Sequence, residues 1–211
     1  MNIIDLTHAI FTHMPVYPGT DTPVIATGCT IEDNGFVEKK ITLYSHTGTH
    51  MDAPAHMIEK SKTLDQLSID HFYGKAVLVN MSSDKRLKID IDDLAFCEDL
   101  LYQNDFLVIH TGWSHHWGSD VYYTGYPVLS VEAVEWLSQF NLKGFGMDVI
   151  SVDEANSKNF PIHKILLKND TVIIENLKNL DLVPISPFIF SCFPLKFTEA
   201  DGSPVRAVAL Y

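Results

Sequence analysis

Between His46 and His56 the chain reads His46-Thr-Gly-Thr-His50-Met-Asp52-Ala-Pro-Ala-His56, which packs three imidazoles and one carboxylate into a single short stretch. Neutral imidazole nitrogen and carboxylate oxygen suit a borderline divalent ion such as Zn²⁺ or Mn²⁺. An isolated His-x-x-x-His carries little, but Asp52 and then His56 make a purposeless solvated cluster a poor account. Positions 46, 50 and 52 share a parity, so an extended backbone points all three side chains to one face. Gly48 weakens a helix here and Pro54 blocks its extension, which predicts a strand end running into a tight loop. Thr47 and Thr49 are placed to support the ligands with hydrogen bonds.

A second concentration lies downstream. Pro161-Ile-His163-Lys-Ile-Leu-Leu-Lys predicts a short helix with Pro near its start, and Asn169-Asp170 turns it into a strand over 171–177. Glu175 closes that otherwise apolar strand, where an unpaired carboxylate is costly and a neighbouring cation removes the cost. Asp148 and Asp153 flank Val149-Ile-Ser-Val and read as carboxylates that order a loop near the site. His115 and His116 are adjacent and point in different directions, so at most one could serve as a ligand; they read as structural.

The elements that must position these groups follow from periodicity and turn chemistry. Residues 2–7 predict a first strand, and Thr12-His-Met-Pro-Val-Tyr-Pro-Gly19 a stiff loop that carries Tyr17 either as a pocket wall or as a surface aromatic. Residues 37–45 predict a strand, with Ile41 and Leu43 on one face, delivering the chain straight into His46. Apolar runs predict buried strands over 75–80 and 105–110. Between them residues 90–103 fit an amphipathic helix with Ile91, Leu94, Ala95, Leu100 and Leu101 among acids. The aromatic, polar stretch 113–123 predicts a loop that lines a pocket or a subunit contact. Ser130 predicts the N-cap of a helix running through Phe140, with Glu132 in its first turn, and a strand follows over 143–148. Alternation of strand and helix implies a mixed α/β sheet.

Whole-chain properties bound the function. A chain of 211 residues, 46% hydrophobic and 20% charged, predicts one globular domain over 1–211. Fifteen basic against 27 acidic residues leave a net charge of −12, which argues against nucleic acid and anionic membrane as partners and leaves a small-molecule substrate. The first residues lack the basic-then-apolar pattern of a signal peptide, and no apolar run reaches the ~20 residues that span a bilayer. Cys29, Cys97 and Cys192 are scattered and read as reduced thiols, so a cytoplasmic location is expected.

The stretch His46–His56, and His163 with its following leucines and Glu175-Asn176-Leu177, resemble in order the two signatures of the cyclase-like metal-dependent hydrolases. That family includes bacterial kynurenine formamidase and isatin hydrolase. The likeness continues through the aromatic-apolar run 187–194 and the tail 201–209, and so extends from Asp5 to Ala209. It implies a compact α/β architecture, a central mixed sheet or flattened barrel with outer helices. It further implies that His46 and His50 bind one metal ion, Asp52 bridges to a second, His163 binds the second and Glu175 touches both, although some relatives hold a single ion. Zn²⁺ is expected first, with Mn²⁺ as the alternative. The implied reaction is hydroxide attack on an amide carbonyl with proton transfer by His56, converting N-formylkynurenine to kynurenine and formate. Tyr17 stands where relatives usually carry a substrate-contacting tryptophan. That departure keeps open a sister hydrolase acting on a cyclic amide of the isatin type or on another carbonyl compound. A metal-binding protein without turnover is the third reading, and His56 argues against it, since a mere binding site needs no proton shuttle. The resemblance also implies a homodimer or larger assembly, to which segments 11–17 and 113–126 would contribute.

Overall fold

Thirteen strands follow one another along the chain of the computed structural model, which describes residues 1–84, 86–184 and 187–211. They are β1 (Ile3–Asp5), β2 (Val24–Cys29), β3 (Glu38–Thr42), β4 (His50–Asp52), β5 (Tyr73–Asn80), β6 (Lys88–Ile89), β7 (Phe106–His110), β8 (Val128–Leu129), β9 (Gly144–Met147), β10 (Val172–Glu175), β11 (Phe188–Ser191), β12 (Gly202–Pro204) and β13 (Val208–Leu210). Nine of them form one mixed sheet in the order β1-β13-β11-β5-β7-β9-β10-β4-β12. Strands β5, β7, β9 and β10 run parallel at its centre. The strands on either side pair antiparallel.

Chain length forces this sheet to curl. Strands β12 and β13 sit seven places apart in the sheet, about 33 Å if it were flat. Only residues 205–207 join them, which reach about 14 Å fully extended. The far edges are therefore brought together, and Thr7, just past β1, bridges Leu177, just past β10. The result is a curled mixed sheet, a half-barrel, within the mixed-sheet or flattened-barrel architecture expected from the resemblance.

Parity along the central strands divides the core in two. Val77, Val79, Leu107, Ile109, Phe145 and Ile173 face the helices, packing on Leu94, Leu101, Val134, Leu137 and Leu166. Ala76, Leu78, Phe106, Val108, Val172 and Ile174 face the inside of the curl with Leu6, Met51, Phe190 and Ala209. The helix Val131–Leu137 starts where expected, with Ser130 accepting from the Ala133 amide, but ends at Leu137 rather than Phe140.

Two expectations fail, each for a physical reason. Residues 90–103 form not one helix but three short pieces, Ile91–Leu94, Ala95–Cys97 and Glu98–Leu101. Leu94, Cys97 and Leu101 are buried whereas Ala95 and Leu100 are exposed, so the inward stripe is narrower than the acid-rich pattern suggests. The strand predicted over 37–45 exists as β3, but it pairs with β2 in a separate, exposed ribbon and stops at Thr42. It does not deliver His46 from the main sheet. β2 was not foreseen at all, because a ribbon exposed on both faces has no burial to impose alternation.

Candidate active site

His50 and Asp52 occupy alternate positions of β4, so both side chains leave the strand on one face. That strand is held between β10 and β12, with Glu175 directly opposite His50 and Gly202 opposite Asp52. The predicted shared face therefore holds for positions 50 and 52 but not for His46, which sits in a turn. Gly48, at φ +69°, folds that turn back so that the His46 ring returns to the strand. His46 lies so close to Gly202 that a Cβ there would stand 2.4 Å from its ring. A side chain at 202 is excluded by that approach.

Hydrogen bonds fix the direction of two rings. His50 Nδ1 donates to the Gly48 carbonyl at 2.9 Å, a group that can only accept, so in the neutral ring Nε2 keeps its lone pair free for a cation. It points at Asp52 Oδ1 (3.3 Å) and Glu175 Oε2 (3.5 Å). His163 comes from the helix Pro161–Lys168, as predicted. Its Nδ1 lies 2.7 Å from Asp153 Oδ2, and its Nε2 faces Glu175 Oε1 (3.3 Å) and Asp52 Oδ2 (3.5 Å). Asp153 also accepts from the amides of Ile162 and His163, capping that helix while it holds the ring. Glu175 Oε1 accepts the Val152 amide at 2.8 Å.

Two carboxylates and two imidazole nitrogens thus converge in a buried space, and Asp52 Oδ2 makes no hydrogen bond there. A buried carboxylate oxygen with no donor is costly, and a cation supplies what is missing. Ligand atoms of His50, Asp52 and Glu175 lie within 4.8 Å of one another, as do those of His46, Asp52 and His56. The donor set therefore fits a divalent ion.

Electrostatics point the same way. Burial pushes the Asp52 carboxyl up, yet His46, His163 and His50 outweigh it and hold the group well below the ordinary carboxylate range. Burial disfavours charge on His46, but Asp52 and Asp201 overcome it and raise the ring to about 10. His163, deeply buried, is raised well above its usual value by Asp153, Asp52 and Glu175. The cluster recruits positive charge, taking protons where no ion is bound.

His56 stands at the outer side, on the single turn Pro54–His56. Its ring centroid is 4.0 Å from that of His46 and its Nδ1 is 3.9 Å from Asp201 Oδ2. Burial lowers its pKa from the usual value, which leaves the ring neutral near pH 7. Tyr17 lies with Pro15 and Val16 on the wall of the same cavity, about 340 Å³, which His46, His50, Asp52, His56, His163 and Glu175 also line. All seven residues singled out from the sequence meet there.

Other assignments divide. Asp148 accepts from the Thr111 amide and hydroxyl, ordering the turn after β7 as read from the sequence. His115 and His116 are exposed and outside the cavity lining. Thr49 donates to the Asn176 carbonyl and accepts the His8 amide, but the Thr47 hydroxyl is buried without a partner, so only one of the two expected supports exists. Asp201, whose Oδ2 lies 3.0 Å from His46 Nε2, was missed, since only the closure of β12 onto β4 brings it there.

With the geometry described, residues 4–154 match the model of the family described as "Putative cyclase". The chain belongs to the cyclase family. It is 33% identical to the kynurenine formamidase of Geobacillus thermodenitrificans (strain NG80-2) over 207 residues, 97% of this chain and 95% of that protein. Its fold matches isatin hydrolase A from Labrenzia aggregata bound to benzyl benzoate with a TM-score of 0.89 at 24% identity, covering 99% of this chain and 93% of that one. A solved structure described as a potential metal-dependent hydrolase with cyclase activity matches at TM-score 0.83 and 27% identity, covering 99% and 96%. No helix among the described residues is long and apolar enough to cross a membrane.

Proposed function

We propose that this chain is a metal-dependent amide hydrolase acting on a small molecule, an arylformamidase that converts N-formylkynurenine to kynurenine and formate. The observation that carries it is the convergence of His50 Nε2, His163 Nε2, Asp52 and Glu175 around an unsatisfied buried carboxylate oxygen, with His56 at the edge of the same cavity. Full-length similarity to a kynurenine formamidase supports the substrate.

His46, His50, Asp52, His163 and Glu175 would hold the ion, Zn²⁺ first and Mn²⁺ as the alternative, since imidazole and carboxylate suit both. The bound metal supplies Lewis acidity, making water nucleophilic near neutral pH and polarising a carbonyl. The chain's own residues do the rest. The water oxygen forms a bond to the formyl carbon and the C–N bond to the aryl nitrogen breaks. His56, neutral near pH 7, accepts the proton leaving water and returns it to the departing nitrogen, so the products are formate and the free aryl amine. Asp153 and the Gly48 carbonyl keep His163 and His50 aimed throughout. Pro15, Val16 and Tyr17 flank the cavity where the aryl group would lie.

A cyclic amide is the second substrate class, because Tyr17 stands where the family usually has tryptophan. Purified protein should contain about one or two equivalents of divalent transition metal and release formate from N-formylkynurenine, and chelation should abolish that release. Ring opening of isatin without formate release would move the assignment to the second class. Active protein free of metal would remove both.

A further inference from the structure

The loop after β7, residues 113–126, lies outside the cavity lining, yet two of its tyrosines reach back toward it. Tyr122 is fully buried, and its hydroxyl donates to Asn176 Oδ1 at 2.6 Å. Asn176 Nδ2 donates in turn to the Gly48 carbonyl at 2.8 Å, the same oxygen that receives His50 Nδ1. Tyr126 is buried too, and its hydroxyl donates to the Asp153 carbonyl at 2.9 Å, while the Asp153 side chain holds His163. The two rings that project Nε2 into the cluster are therefore each tied to a hydroxyl of one loop, His50 through the Gly48 carbonyl and Asn176, His163 through Asp153 alone.

The intermediaries need tying. Asn176 sits at φ +57°, the left-handed region that most residues avoid, directly after Glu175. Its backbone carbonyl is already held by Thr49, so its side chain is left to span Tyr122 and Gly48. Tyr122 is itself wedged edge-on against Trp117, which stacks on His8 at 3.9 Å, and Trp113 Nε1 donates to the Tyr122 carbonyl. These contacts pack the Tyr122 ring on the side from which its hydroxyl reaches Asn176. Burial raises the Tyr122 phenol well above its usual pKa, so it remains a donor at any working pH.

We propose that Tyr122 and Tyr126 are positioning residues that preset His50 and His163 for ion binding, acting through Asn176 and Asp153. This rests on the metal-dependent reading above. Groups of this kind behind metal ligands affect affinity by roughly 10–100-fold when removed.

The test is Co²⁺ titration of metal-free protein, followed by its visible absorption. Tyr122→Phe should weaken Co²⁺ binding about tenfold and shift the absorption bands, and Tyr126→Phe should do the same to a smaller degree, because it acts on a backbone carbonyl. Asn176→Gly keeps the left-handed backbone and removes the link. Since Tyr122 acts through Asn176, adding Tyr122→Phe to Asn176→Gly should cost nothing more. The exposed Tyr102→Phe should leave affinity and spectrum unchanged. Wild-type affinity and spectrum in Tyr122→Phe, even with a lowered melting temperature, would make the hydroxyl a fold contact only and overturn the proposal. Failure of the unmodified protein to bind Co²⁺ would instead bring down the metal-dependent reading, and this proposal with it.

Discussion

The inner and outer halves of the cavity are built differently. His50, Asp52, Glu175 and His163 leave two strands and a helix, and every one of them is buried. His46, His56 and Asp201 leave turns, with side chains 22%, 26% and 48% exposed, and Tyr17 is on a proline-stiffened loop. Cation binding demands fixed distances and is served by regular elements whose rotamers packing locks. Proton exchange and substrate entry need contact with water, and loops held over a rigid scaffold provide it. On the proposed roles, the buried groups hold the ion, His46 reaches in to them from the outer side 2.7 Å from Asp52, and His56 and Tyr17 serve the reaction and the substrate.

The sharpest way to break this division is to remove one group from each half. Asp52→Asn should lose essentially all bound metal and all turnover, because it takes away the carboxylate shared by both sets of donors. Glu175→Gln should reduce occupancy less, since it removes a charged group from only one of the two sets. His56→Ala should keep most of its metal and lose about 10²–10⁴-fold in kcat, the usual worth of a proton-transfer group. Elemental analysis beside kinetics distinguishes them. Because His56 also lies within ligand distance of His46 and Asp52, metal loss in His56→Ala equal to that in His46→Ala would make it a ligand and erase the division.

A smaller effect concerns protons. His46 in the ion-free protein is raised to about 10, so it is protonated throughout the range below that. Ligation requires the neutral ring, so binding at pH 7 must expel that proton, and His163 must lose one as well. Apparent affinity therefore falls as pH drops, by up to tenfold per unit for each proton released. The same shift stabilises the ion-free fold: a raised pKa contributes fully below about 6.5 and is lost as pH rises toward 10. Ion-free protein should lose melting temperature over that window more steeply than loaded protein. Calorimetry in buffers of different ionisation enthalpy should show at least one proton released per ion at pH 7. Zero release would mean the rings are neutral without metal.

The same contrast governs what was legible in the chain. The inner half announces itself because a carboxylate at the end of an apolar strand, and imidazoles close to Gly and Pro, conflict with burial unless something joins them. Local spacing and apolar context pointed to His50, Asp52 and Glu175, and the resemblance to the family's second signature added His163. Asp201 was not found, since it meets His46 across 155 positions and only after three residues draw β12 to one edge of the sheet and β13 to the other. Tyr122, and the link that Asn176 makes within the second signature, were hidden for a similar reason, the partners being 54 and 128 positions away. Of the exposed ribbon only β3 was legible; β2 left no pattern, because neither face is buried.

The smallest expected effect tests the outer half by itself. Tyr17 is 36% exposed on the cavity wall, in a loop stiffened by Pro15 and Pro18, and a phenol ring there is not one of the proposed ligands. Tyr17→Ala should leave metal content unchanged and raise KM. An aromatic contact is worth on the order of 1–3 kcal/mol through buried area, so the rise should be roughly ten- to a hundredfold if little else moves. Tyr17→Trp introduces the residue that the resemblance implies at this position. It should improve turnover of N-formylkynurenine if the cavity is that of a formamidase, and do nothing for that compound if the cavity is shaped for a cyclic amide. Steady-state kinetics of the three proteins on N-formylkynurenine and isatin separate these outcomes. An unchanged KM in Tyr17→Ala, for a compound that is clearly turned over, would place the aryl group elsewhere and leave Pro15 and Val16 as surface rather than wall.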